Sequence, residues 1–157
     1  MEVPIPNFYF MAVQFIHLLA LSVWVGGIVS IGMIVAPTLF QKGRSRQTGG
    51  ELMGEILRKF DIVSLACIAA LAITGVIKYW TWENLTPWNL SRYLSILVMS
   101  GAGLYSAFAV SPKLRSWTGS PASANAISIS DFNRLHHLSI RLMTLNLICG
   151  VVALLMA

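Results

Sequence analysis

The sequence predicts an all-α integral membrane protein: a single domain over residues 1–157, four transmembrane helices in an antiparallel bundle, both termini on the outer, non-cytoplasmic side. Three observations predict it. Hydrophobic residues make up 56% of the chain and charged ones only 11%, about half the charge of an ordinary soluble domain. Its apolar runs approach or exceed the roughly 20 residues a helix needs to cross about 30 Å of hydrocarbon. Its basic residues are distributed one-sidedly between the connecting segments.

The first span is expected over about 8–36, inside a run without formal charge from Val3 to Gln41. That run is too long for a secretory h-region of about 7–15 residues and has no basic residue ahead of it, so it reads as a retained span. Pro37 is expected to end it. The second span, about 60–79, has a short uncharged core from Ile62 to Ile77, lengthened in effect by Arg58, Lys59 and Lys78 reaching for the headgroups. The third runs from Tyr93 to Ser111, where Pro112 is expected to stop it. The fourth runs over about 132–156, with Ser130 as N-cap and Asp131 in its first turn. Arg134 and Arg141, seven residues apart, share a face and an interface.

The connecting segments set the orientation. Lys42, Arg44, Arg46, Arg58, Lys59, Lys113, Arg115, Arg134 and Arg141 fall on one side, against Lys78 and Arg92 on the other. The positive-inside rule therefore places the first and third loops in the cytoplasm, and the chain in the inner (plasma) membrane as a multi-pass protein. The first loop opens with a flexible basic stretch, 41–50. Leu52, Ile56 and Phe60 then recur every four residues, which predicts an interfacial helix over 51–60. The third loop, 117–130, is rich in Ser, Ala and Asn and reads as mobile. Phe8, Tyr9, Phe10, Tyr79, Trp80, Trp82, Trp88 and Tyr93 cluster at the opposite, outer ends and suit an aromatic belt. The net charge of +5 forms no single patch interleaved with aromatics, so nucleic acid is not an expected partner; membrane lipid and other membrane subunits are.

Association of helices in lipid relies on small residues that let backbones approach. Ser22, Gly26 and Ser30 line one face of the first span, Ala66, Ala70 and Thr74 one face of the second, and Gly103, Ala107 and Ser111 one face of the third. Packing within the bundle is their plain reading, and a surface for another subunit the alternative. On the opposite side of the first span lie Gln14, His17, Leu21, Trp24, Ile28 and Ile31.

Ionisable groups inside a span are costly and usually face the bundle interior. His17 is the cleanest candidate: as a structural residue hydrogen-bonded across the bundle, near Gln14 or to Asn146, or as a ligand to copper, haem or a chlorophyll-type pigment with Gln14 and Trp24 beside it. It lies roughly 15 Å in from the outer end at 1.5 Å per residue. His136 and His137 belong to the other end, and at most one of them is expected to face inward with Ser139, Met143 and Asn146. Cys67 and Cys149 likewise lie at different depths, which argues against a disulfide, and both are expected buried and reduced. No buried carboxylate pair, phosphate loop or nucleophile motif is present, so no enzyme is expected.

Several motifs taken in order resemble the transmembrane-protein-205-like family: His17 with Trp24-Val25-Gly26-Gly27, Val35-Ala36-Pro37-Thr38-Leu39-Phe40, Gly50 to Leu57, Ser111-Pro112-Lys113, and Phe132 to Ser139. The Ala-Pro-x-Leu-Phe exit with Pro37 and Phe40, and the Leu-His-x-Leu-Ser entry with His136 and Ser139, are its most specific pieces. The resemblance implies a four-helix membrane protein of a family with bacterial members, whose vertebrate relatives are associated with platinum-drug resistance and trafficking. Where that family tends to have a proline before the second span this chain has Arg58, so its helix is expected to run on unbroken. Met143 stands where the family tends to have asparagine, with Asn146 one turn later. The shorter His-x6-Trp-x-Gly-Gly pattern also resembles the membrane domain of copper-resistance D-type proteins.

Three readings follow. The first is a small non-enzymatic accessory or scaffold subunit packed against a larger membrane complex. The second is a haem-, chlorophyll- or copper-binding module using His17. The third is a transporter, against which stand the absence of an inverted repeat, of a broken span and of buried charges for a relay.

Overall fold

The computed structural model describes residues 7–41, 46–81, 83, 84, 86–113 and 126–157, with side chains described over 8–39, 52–81, 83, 84, 86–113 and 134–157. Its elements are α1 (Asn7–Ser30), a π-turn (Ile31–Val35), α2 (Ala36–Gln41), α3 (Arg46–Thr81), α4 (Pro87–Tyr105), a second π-turn (Ser106–Val110) and α5 (Ala126–Leu155). Four stretches are long and apolar enough to span a bilayer: Phe8–Leu39, Leu52–Thr81, Pro87–Lys113 and Arg134–Leu155. The fold class is the expected one, all-α with four spanning helices. In cyclic order α1 packs on α3, α3 on α4, α4 on α5 and α5 back on α1. The end of the bundle that carries residues 7 and 157 is called the terminal end below.

Both expected proline stops are overturned, for one shared reason. Pro37 and Pro112 each lie two residues beyond a π-turn, and the helix continues through each of them. Proline supplies no N–H and its ring collides with the carbonyl one turn back. A π-turn widens that turn by one residue: Ala36 N–H reaches back to Ile31 O, and Ser111 N–H to Ser106 O. The Thr38 hydroxyl donates to Ile34 O at 2.6 Å, satisfying a carbonyl beside the widened turn.

The interfacial helix expected over 51–60 is not separate. α3 runs unbroken from Arg46 to Thr81, as the missing proline at Arg58 predicts, and it absorbs residues 46–50 of the expected flexible stretch. α5 begins at Ala126, so Ser130 lies inside the helix and is not its N-cap, and residues 126–130 are helix where a mobile loop was expected. The remainder of that loop, 117–125, and the stretch 42–45 lie outside the described residues. α4 begins at Pro87, six residues before the expected start, with the Thr86 hydroxyl accepting from Asn89 N at 3.2 Å. An N-cap threonine followed by proline at the first helical position is a strong start signal, and it moves Arg92 from the loop into the helix.

The core holds Leu21, Trp24, Leu71, Met99 and Ala153, all with 1% exposure or less. Among the described residues, side chains press against the backbone at three glycines. A Cβ at Gly103 would lie 2.7 Å from Trp24 Cζ2, one at Gly150 would collide with Val25 Cγ2, and one at Gly27 would collide with the Phe60 ring. Gly26, by contrast, has nothing within 4 Å of such a Cβ, and Ser22 and Ser30 are exposed with it. Among the described residues, the packing expected of the Ser22, Gly26, Ser30 stripe is therefore not made. Ala66 is exposed too; Ala70 packs against the core, and Ala107 sits half-buried in the second π-turn. Of the two faces of α1, the bundle buries the one with His17, Leu21, Trp24, Ile28 and Ile31.

Candidate functional site

Polar side chains collect in the terminal half of the bundle. Thr74 lies on α3 one turn before Lys78, about 6 Å along the axis, and both are buried. His17, 1% exposed, faces Thr74 across the α1/α3 contact, with Nδ1 2.8 Å from the threonine Oγ1. The Thr74 hydroxyl has one proton, and it donates that proton to Ala70 O at 2.7 Å, with Leu71 O at 3.3 Å. The tautomer that leaves the bond to Ala70 O intact has Nδ1 as the donor to Thr74 Oγ1. This assigns the proton of neutral His17 to Nδ1 and leaves Nε2 as a bare lone pair. Nε2 is buried and unpartnered.

The partner of His17 is thus Thr74, and neither Gln14 nor Asn146. Gln14 reaches the end of α5 instead, its Nε2 3.5 Å from Ala157 O. Trp24 sits two turns further along α1, about 10 Å from His17 along the axis, and packs over Gly103. Asn146 is buried with Oδ1 unpartnered. Of His136 and His137, at most one of which was expected to face inward, both are exposed; their rings lie 6.3 Å apart. Ser139 is half-buried, the side chain of Phe40 lies outside the described residues, and Pro37 belongs to α2. Cys67 and Cys149 are free thiols, Cys67 buried and Cys149 half-buried.

One turn beyond Thr74 is a group of charges that sequence reading missed. Lys78, expected to reach the headgroups, is 2% exposed, and Arg92, counted with a loop, is 4% exposed. Between them stands Glu83, in the connection from α3 to α4. Its Oε1 takes the Lys78 ammonium at 3.0 Å; its Oε2 takes Arg92 Nη2 and the Tyr93 hydroxyl. Tyr93 is therefore a ligand of Glu83 as well as a belt aromatic. Trp80 and Trp88 do stand outward, at 83% and 59% exposure.

The connection folds around this carboxylate. Glu83 N–H caps Lys78 O at 3.0 Å, Thr86 N–H bonds Asn84 O at 2.9 Å, and the Asn89 amide donates to Asn84 O at 2.9 Å. Burial alone would raise the Glu83 carboxyl, but hydrogen bonds from Tyr93, Arg92 and Lys78 outweigh it and hold the group at about 2. The carboxylate is ionised, so the cluster carries two cations and one anion. His17 lies within electrostatic reach of all three. The charges whose absence counted against a relay are present after all. Among the described residues they end at His17, below which Leu21, Leu71 and Met99 form apolar core.

The bare Nε2 of His17 has the lone pair a metal or haem iron requires. The surplus positive charge one turn away opposes a cation there, and the ring is sealed by packing. Among the described residues no three His, Cys, Asp or Glu side chains gather to hold a metal. Nothing in the geometry therefore adds Gln14 or Trp24 to a ligand set around His17.

The model of a domain of unknown function, DUF4149, matches residues 19–119, which covers the second half of α1, α2, α3 and α4, and leaves His17 just outside. No curated protein and no solved structure matches the chain. The matched stretch contains the Thr74, Lys78, Glu83, Arg92 and Tyr93 side chains, and the chain is a four-helix membrane protein of the DUF4149 family.

Proposed function

We propose that this protein is a small non-enzymatic membrane subunit that packs against a larger membrane complex through the uncovered face of α1. The observation that carries the reading is the contrast between its two faces. The His17 face is filled by the chain's own side chains, whereas Ser22, Gly26 and Ser30 stand exposed with open space over Gly26. In lipid such a stripe offers little as a surface for acyl chains and much as a bed for another helix. The chain's other polar groups serve to hold the bundle together.

Native mass measurement after gentle solubilisation tests it: the protein should co-purify with a larger assembly, and Gly26→Leu should release it while leaving thermal stability within about 0.5 kcal/mol. A monomer without companions, in the wild type, ends this reading.

A second reading, a cofactor module at His17, is favoured by the unpartnered Nε2 alone. Absorption and metal analysis of protein from the native source decides it: a colourless, metal-free preparation leaves His17 as the hydrogen-bonding partner of Thr74.

A further inference from the structure

The terminal cluster has too many donors and too much positive charge for the acceptors it contains. Lys78 carries three N–H groups, and among the described residues its ammonium has one partner, Glu83. The Nε–H and one Nη2–H of an arginine lie on the same edge of the planar guanidinium and form a two-pronged fork. In Arg92 the Nη2 prong takes Glu83, while Nε is buried and unpartnered. Both Glu83 oxygens are already engaged. What the cluster lacks is one negative charge with oxygen acceptors, placed beside Arg92 Nε and the Lys78 ammonium.

We propose that Lys78 and Arg92 form an oxyanion-binding site that takes a singly charged oxyanion, either the phosphodiester of a phospholipid headgroup or a small free anion such as formate. The depth suits the first source. Lys78 lies three residues from the end of its span, and the outward rings of Tyr79, Trp80 and Trp88 mark the headgroup level there. An anion accepts from Arg92 Nε and from the spare ammonium hydrogens, brings the cluster to neutrality, and leaves the Glu83 bonds in place. A cation is repelled at the same position.

The test is thermal unfolding of the full-length protein, followed by tryptophan fluorescence, in phosphate-free maltoside detergent. One arm adds sodium formate against sodium chloride at equal ionic strength; the other adds phosphatidylglycerol against diacylglycerol. A saturable rise of several degrees with formate, or with phosphatidylglycerol, and not with its control, is expected, and which arm responds identifies the source. Glu83→Gln, which leaves two unbalanced cations, should enlarge the rise; Arg92→Gln should abolish it. Should Arg92→Gln fail to purify, Lys78→Met removes the same unit of charge from the other side of Glu83. No rise in either arm, an equal rise with chloride, or a rise that persists in the charge-removing variant overturns the proposal and leaves water as the partner of Arg92 Nε.

Discussion

Two clusters in this molecule have the same composition, one glutamate with one arginine and one lysine, and opposite surroundings. Near the basic end, Glu55 accepts both prongs of Arg58, Nε at 3.1 Å and Nη2 at 2.8 Å, with Lys59 at 3.9 Å. All three side chains there are about half exposed or more. At the terminal end, Glu83 holds Lys78 and Arg92 with side-chain exposures of 10%, 2% and 4%. The exposed arginine completes its fork and the buried one does not. Proximity in sequence explains the first, since residues three and four apart on a helix meet without further arrangement. The second joins three segments, so its geometry is set by helix packing, and the fork is left with an open prong. Equal composition thus yields a weak local pairing in one place and a structural joint in the other.

The largest test of this contrast is removal of each carboxylate. Glu83→Ala leaves two cations buried without their anion and should cost about 3–5 kcal/mol. Glu55→Ala should cost less than about 1 kcal/mol. Unfolding by graded sodium dodecyl sulfate in mixed micelles reads both, and similar losses would show the two clusters to be equivalent.

Next comes the polar contact that adjoins the buried cluster. Thr74→Val removes the acceptor of the His17 Nδ1 proton and should cost about 0.6–2 kcal/mol, the range for hydrogen bonds between helices in lipid. Thr74→Ser should restore most of it. A loss of the same size in both variants would mean that packing, not the hydrogen bond, matters at this position.

Acid separates the clusters by range. A carboxyl held at about 2 in the folded chain against 4.5 when free contributes stability that is complete above about pH 4.5 and is lost as the pH falls through about 2. Stability measured from pH 6 down to 2 should therefore fall in the wild type, and the Glu83→Gln protein should lack that part of the slope. Salt gives the smallest effect. Raising sodium chloride from 0.05 to 0.5 M should remove the few tenths of a kcal/mol that the exposed cluster supplies, so Glu55→Ala and wild type should converge, while the deficit of Glu83→Ala persists.

Much of the fold was legible in the sequence because hydropathy is an average. Runs of twenty residues report a span whatever the individual side chains do, and the four expected spans appear, with several of their ends displaced. Single-residue inferences fared by the kind of partner involved. Sequence marks His17 as buried and offers partners on its own helix and on α5, whereas it presents Thr74 only as a small packing residue. Sequence places Lys78 at the headgroups and counts Arg92 with the outer loop, since a basic residue near a span end satisfies the topology rule equally well when it turns in. The turn inward depends on Glu83, which lies in a short connection and belongs to no periodic pattern. One signal was available: Thr86-Pro87 announces a helix start, and beginning α4 there puts Arg92 inside the bundle.

The small-residue stripes show the same limit. Spacing at every fourth residue identifies Ser22, Gly26 and Ser30 as readily as Gly103 and Ala107, and cannot say which stripe a neighbour covers. Trp24 and Val25 decide it, by projecting toward Gly103 and Gly150 and away from Gly26. Proline rules failed at Pro37 and Pro112 because they presume a fixed number of residues per turn. A single widened turn is enough to void that premise.

The two π-turns also divide the molecule mechanically. Both interrupt their helices toward the end opposite the Glu83 joint, one in the stretch after α1 and one after α4. A widened turn replaces the regular hydrogen-bond ladder with a longer-ringed one and is a place where a helix bends. The bundle is thus joined by an ion cluster at one end and carries its two irregular turns toward the other.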